Sequence, residues 1–465
     1  MHLLALPTDP TPIAPEQFRA LIGRSLPRVL ALVEASGRSM SAHVVDELRA
    51  AVACGDPAEG FLWVRCDGCR INRVVAVSCK GRAFCPRCGG RRMAQGAANW
   101  VEGLFPEVPV RQWVLSLPMD QRLALAWRPK LVSAALAILI EHVGAYYRRR
   151  VGGHPGSVTV IQRFGSTLNL NVHFHVLFAD GTWCVDADGA MQFRSTIPPT
   201  LSDVSAVVEA VAADLARLIP ARAAEEQEPD DAQQVLELAS LMNRAAFGPS
   251  WSQGASRKRG ERRPRRHGAG LEASSGWTSL HAGVRVAGKD REGLERVCRY
   301  LLRPAVALSR LYLLPEDRVQ LKLRHVWDDG TEAVEFSGPE FVGRLAAQVP
   351  PKGQHLIRYH GVFAPASKLR ASIVPVLRRR ADVPEVYVDR VRRRWIAWGE
   401  LILRVFRHDP QKCPGCGVRM RQVALVLAAS GDVLRWLDDE RASHGGVVLL
   451  GARARGDPPA PSSAR

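Results

Sequence analysis

Apolar and polar positions alternate through residue 176 of the stretch 168–178, LNLNVHFHVLF. Leu168, Leu170, Val172, Phe174 and Val176 fall on one face, and Asn169, Asn171, His173 and His175 on the other. This is the period of a half-buried strand. Residues two apart share a face, so His173 and His175 make a pair of imidazoles suited to chelating a metal ion. The pattern packs the apolar face on helices and leaves the histidines on an open polar face. A solvated strand face with two idle histidines has the same pattern, so the rest of the chain has to decide between them.

Elsewhere the helical period predicts helices over 19–36, broken or kinked at Pro27, and over 41–52. Another spans 129–150, with Pro129 at a tolerated first-turn position and Tyr146 and Tyr147 near the basic end 148–150. Further helices are expected at 202–218, 290–303 and 339–349. Strands are expected at 110–117, 158–164, 182–185, 319–326 and 333–337. The order suits an antiparallel sheet of about five strands with helices on one face. The predicted class is α+β. An N-terminal helical and zinc-binding domain (1–100) precedes a central domain (105–315), a mostly helical C-terminal DNA-binding or accessory region (316–425) and a disordered tail (451–465). The longest near-apolar run, 131–140, is too short to cross a bilayer, and MHLLALPTDP lacks the basic start of a secretory signal. The expectation is a cytoplasmic protein with no membrane partner.

Charge changes this picture. There are 64 Lys and Arg against 46 Asp and Glu, a formal net charge of +18, which favours a polyanionic partner such as nucleic acid. Seven of the eleven residues 257–267 are Lys or Arg, and 248–276 reads as a flexible basic insert.

The ten cysteines are clustered, which points to metal binding rather than disulfides. Cys66-Asp-Gly-Cys69 and Cys85-Pro-Arg-Cys88 are two C-x2-C knuckles, the pattern of one four-cysteine zinc ribbon. Cys54 and Cys79 are left over, as alternative ligands or buried thiols. Cys413-Pro-Gly-Cys416 is half a second zinc site, to be completed by His408 and another residue or by cysteines of the first cluster. Arg65, Arg70, Arg73, Lys80, Arg82, Arg87, Arg91 and Arg92 stud the first cluster and predict DNA contacts, with Arg82, Arg91, Arg92 and Arg303 the chosen candidates.

In the helix 290–303, Leu294, Val297, Cys298 and Leu301 form the apolar stripe, and Tyr300 sits at its edge. A lone helical tyrosine is ordinarily a packing residue. Beside the histidine pair it acquires a chemistry. Tyrosine is a weak nucleophile, with an ordinary pKa of about 10. A divalent metal that polarises a phosphate oxygen would let it attack a phosphodiester. The products are a 5′-phosphotyrosine and a free 3′-OH, so the strand can be rejoined without ATP. The chain has no G-x-x-x-x-G-K-[ST] loop.

Taken together, the cysteine knuckles, RQWVLSLP at 111–118, IQRFGSTLNLNVHFH at 161–175, LERVCRYLLRP at 294–304 and HLIRYHGVFAPASKLR at 355–370 carry a resemblance. The chain resembles the rolling-circle transposases of the tyrosine HUH class, in the insertion-sequence branch with an N-terminal zinc-binding domain. The resemblance covers roughly residues 40–425. It implies a nickase and strand transferase acting on single-stranded DNA at element ends and on target DNA. It also implies structural zinc, a catalytic magnesium or manganese ion at His173 and His175, and Tyr300 as nucleophile. A homo-oligomer is compatible with it. Where many relatives carry a second tyrosine, this chain has Pro304, which resembles the single-tyrosine subgroup associated with common-region elements. Where some relatives carry a ligand glutamine, this chain has Ser166; Gln162 is the substitute candidate, with His281 or water as alternatives. A replication initiator or relaxase using the same chemistry, and a non-catalytic zinc DNA-binding protein, are the competing readings.

Overall fold

A computed structural model describes residues 11–219, 270–327, 329–375 and 411–427. Among them are nine helices, α1–α9, and fourteen strands, β1–β14, numbered here in chain order. The chain forms two compact units, each assembled from separate segments. One comprises residues 92–303 and 350–395, and the other 1–91, 304–349 and 396–465.

The first unit is built on a six-stranded antiparallel sheet. Its strands are β3 (Val110–Ser116), β4 (Gly156–Phe164), β5 (Leu170–Ala179), β8 (Glu272–Ser275), β9 (Thr278–Val286) and β13 (Ile357–Gly361). Their order across the sheet is β13-β4-β5-β3-β9-β8. The histidine strand is therefore central and paired on both sides. One face of the sheet carries Trp113, Leu115, Val172, Phe174, Val176 and Phe178. These pack on α4 (Met119–Trp127), α5 (Pro129–Val151) and α6 (Leu201–Leu218). Apolar residues of the other face, Val158, Val160 and Leu177, pack with Trp100 of α3 (Pro86–Gly103) and with Leu294, Cys298 and Leu301 of α7 (Arg291–Leu302). Helices thus cover both faces, not one. A central strand has no solvent face to spare once the chain supplies two sets of apolar helices.

Beneath α5 lies a buried charge. Asp180, fully buried, accepts two bonds from Arg111, at 2.9 and 3.0 Å, one from Arg285 at 2.8 Å and one from the Tyr147 hydroxyl at 3.1 Å. A carboxylate removed from water requires this full set of partners. By length and composition α5 could cross a membrane. Here its apolar residues, among them Val132, Leu136, Leu139 and Val143, are buried in the sheet's core.

In the second unit, α1 (Pro15–Ala35) packs on α2 (Ala42–Ala53) and on α8 (Gly338–Gln348), with the Phe18 and Phe341 rings edge to face at 6.2 Å. Pro27 neither ends nor splits α1. It lies on the exposed side, where the carbonyl it leaves unbonded can take water. Leu26 and Val29 hold the core side. Strands β10 (Leu311–Leu313), β11 (Val319–Lys322) and β12 (Ala333–Phe336) form one small sheet. A second is ordered β14-β1-β2, from β1 (Gly60–Arg65), β2 (Asn72–Ala76) and β14 (Arg421–Leu427).

Both units draw on segments distant in sequence. Residues 304–349 fold with the N-terminal helices, and residues 357–361 add an edge strand to the central sheet. Of 316–425, the described part is strand as well as helix. Of the insert 248–276, residues 272–275 are β8. Residues 248–269, His408 and the tail 451–465 lie outside the described residues.

Candidate active site and cysteine centres

The register lays a row of polar residues across the sheet. Ser279 pairs with Ser116, Ser116 with His173, and His173 with Gln162. One step along the strands, His175 pairs with Val114 and Val160. The His173 and His175 rings stand 4.8 Å apart, centroid to centroid. This face is not open. His175 is 5% exposed, and α7 runs over it. The Tyr300 ring, 44% exposed, has its centroid 6.1 Å from that of His175. The structure therefore brings His173, His175, Gln162 and Tyr300 into one site.

Helix α7 is placed by its own chemistry. Asp290 caps it, accepting from the Gly293 amide at 2.7 Å. Arg291 donates to the carbonyls of Val101, Pro106 and Phe105. Gln162 Nε2 donates to the Leu301 carbonyl at 2.7 Å, tying the helix end to β4. Pro304 follows directly, and the preceding Arg303 is extended. The Arg303 guanidinium lies 4.0 Å from the Tyr300 ring centroid and 5.4 Å from that of Phe164, a cation–π sandwich.

Burial sets the charge state of the pair. It pushes the His173 imidazole down to about 4, with Arg303 and Arg122 adding to the effect. It pushes His175 well below its ordinary value, helped by His173 and Arg303. Neutral imidazoles are the metal-binding form. His173 Nδ1 donates to the Asn171 carbonyl at 2.8 Å, leaving the Nε2 lone pair free. Gln112 Nε2 lies 2.8 Å from His175 Nδ1. With that amide turned over, its oxygen would accept from Nδ1–H and His175 Nε2 would carry the lone pair. His175 Nε2, Gln162 Oε1 and Asn171 Oδ1 are buried without hydrogen-bond partners. Orphaned acceptors beside a neutral imidazole pair are what a bound cation would satisfy, so these residues fit a divalent metal. His281 pairs with Val114 across β3, but among the described residues no third His, Cys, Asp or Glu groups with the two histidines.

Gln112 was not singled out from the sequence. Its signal is a polar residue inside the apolar run 110–117, and such a residue in a central strand calls for a partner. Tyr146 and Tyr147, by contrast, are not alternative nucleophiles. Both are buried in the core on the opposite face, and burial raises both hydroxyls, Tyr147 well above 10.

The cysteines regroup. Cys85 and Cys88, at the start of α3, come together with Cys54 and Cys79, and Cys66 and Cys69 with Cys413 and Cys416. The expected ribbon of Cys66, Cys69, Cys85 and Cys88 is not formed; the two residues left over complete the first centre. In it the sulfurs of Cys54 and Cys88 are 3.7 Å apart, Cys79 and Cys88 3.4 Å, and Cys54 and Cys85 3.5 Å. In a tetrahedral zinc site with bonds of about 2.3 Å the sulfurs lie roughly 3.8 Å apart, so the donor set fits zinc. Of the basic residues nearby, Arg82 and Arg92 are exposed and Arg91 is partly buried. Arg73 is buried, donating to the Lys412 carbonyl at 3.0 Å, and Arg87 donates to the Ala76 carbonyl at 2.9 Å. Those two are structural.

Two families match parts of the chain. Residues 27–117 match a family described as "Transposase zinc-binding domain", and residues 156–370 one described as "Putative transposase". The similarity is to transposases. A protein of Sinorhizobium fredii (strain NBRC 101917 / NGR234) described as "Putative transposase y4qJ" is 26% identical over 383 residues, covering 78% of this chain and 84% of that protein. No solved structure matches. The second family's span contains Gln162, His173, His175, Tyr300 and Arg303; the first contains six of the eight clustered cysteines. The zinc-binding match and the four-thiol geometry together support structural zinc.

Proposed function

We propose that this chain is a rolling-circle transposase that cleaves and rejoins single-stranded DNA through Tyr300. The observation that carries the reading is the tyrosine of α7, half exposed, set 6.1 Å from the buried His175 ring. The hydroxyl oxygen of Tyr300 attacks the scissile phosphorus. A phosphorus–tyrosine ester forms, and the bond to the 3′ oxygen breaks. The phenolic proton is lost to solvent and the departing oxygen takes one up, leaving a 3′-OH. Attack of a 3′-OH on the ester reverses the exchange and joins strands, without an external energy source. A divalent ion, magnesium or manganese, held by His173, His175 and Gln162 would polarise a phosphate oxygen and stabilise its developing charge. Arg303 sets positive charge against the tyrosine ring, where a phosphate must approach. Arg82, Arg91 and Arg92 are the proposed contacts to the backbone of the element ends.

The test is a denaturing gel of protein incubated with labelled single-stranded oligonucleotides tiling the element ends, with magnesium or manganese. A covalent adduct is expected from the wild type. It should be absent from Tyr300→Phe and reduced at least 100-fold in His175→Ala, consistent with the loss expected when a stabiliser of transition-state charge is removed. An adduct that persists in Tyr300→Phe would refute the assignment.

A further inference from the structure

We infer that the chain holds two zinc ions, and that the second clasps the N-terminal zinc-binding segment to a C-terminal hairpin through Cys66, Cys69, Cys413 and Cys416. All four sulfurs lie within 4.8 Å of one another. Cys66 and Cys416 are 350 residues apart in sequence, yet their sulfurs are 3.5 Å apart. The first pair leaves β1 and turns towards β2; the second leads into β14, which pairs with β1, Val64 with Gln422 and Arg65 with Arg421. The knuckle geometry is that of metal-bound thiolates. The Cys69 amide points at Cys66 Sγ, 3.4 Å away, and the loop of the second pair is closed by Gly417 N to Cys413 O at 3.0 Å. A Cβ at Gly415 would meet Ile71 Cδ1 at 3.2 Å and Cys69 Sγ at 3.4 Å, so the second knuckle packs closely on the first at this glycine.

The local core cannot supply the stability. Its buried members are Val64, Cys66, Cys413 and Met420, with Leu62 and Ile71 packed against them. A three-stranded sheet on so few apolar side chains needs a staple. None of the four thiols is in a disulfide. A zinc ion satisfies all four, closes the long loop and anchors β14. The matched zinc-binding family ends at residue 117, so the two C-terminal ligands lie outside it. The site stands independently of the proposed DNA chemistry.

Native mass spectrometry of the full chain should count two zinc ions, falling to one in Cys413→Ser/Cys416→Ser. A second experiment needs no variant. The zinc-loaded wild type is titrated with a chelator, and freed thiols are alkylated and mapped by peptide. Cys66, Cys69, Cys413 and Cys416 should become reactive as one set. They should precede Cys54, Cys79, Cys85 and Cys88, because Cys69 and Cys416 are exposed whereas Cys54, Cys85 and Cys88 are buried. A single zinc per chain, or release of Cys66 and Cys69 together with Cys85 and Cys88, would overturn the inference.

Discussion

At the scale of single residues, the site depends on neighbours that never touch a substrate. Gln112 Nε2 sits 2.8 Å from His175 Nδ1, so the way its amide is turned sets which ring nitrogen carries the lone pair. Partners of metal-binding histidines typically control affinity by about 10- to 100-fold. Gln112→Ala should therefore weaken manganese binding, measured by calorimetry, by roughly that factor, with the fold intact by circular dichroism. An unchanged affinity would show that Gln112 only packs. His360 provides a pH test away from the site. Burial, aided by Arg358, holds its imidazole down at about 4, and it shares a 2.9 Å hydrogen bond with Thr159. Below its ordinary value of 6.5 the unfolded chain takes up a proton that the folded chain refuses, so stability falls as pH drops from there towards about 4. In urea unfolding across that range, His360→Gln should lose less stability than the wild type.

At the scale of elements, the β8–β9 hairpin extends the sheet at the end where His173 lies. Ser279 is in the row of Ser116 and His173, two strand spacings of about 4.8 Å from the histidine. Two residues before it, at the hairpin turn, Trp277 is 76% exposed, with Gly276 in the left-handed region that the turn demands. An exposed indole near the proposed cleavage site is suited to stacking a base. Trp277→Ala should reduce affinity for single-stranded oligonucleotides by roughly 5- to 150-fold, the value of about 1–3 kcal/mol per stacked base. Equal binding in a fluorescence titration would exclude it. On the far side of the sheet, Asp180 joins β3 and β9 through Arg111 and Arg285. Removing one partner of such a buried set typically costs about 3–5 kcal/mol. Asp180→Ala should lower the thermal midpoint accordingly, and a neutral result would mean that water reaches the two guanidiniums.

At the scale of the whole molecule, both units are sewn from distant segments. β13 joins β4 and β14 joins β1, pairings that no local pattern announces. Local periodicity did carry the elements: the histidine strand, α5, α6 and α7 fall within one or two residues of their predicted bounds. The candidate groups were equally legible, since C-x2-C, His-x-His and an amphipathic helix bearing Tyr300 are written in spacings of a few residues. The tertiary structure alone decided which cysteine knuckles come together, that α7 covers the histidine face, that Gln112 lies against His175 and that Tyr146 and Tyr147 are core. Each is a contact between residues remote in sequence, set by which apolar faces the whole chain can bury together. Short-range spacing shows what a segment offers; only long-range packing determines what meets it.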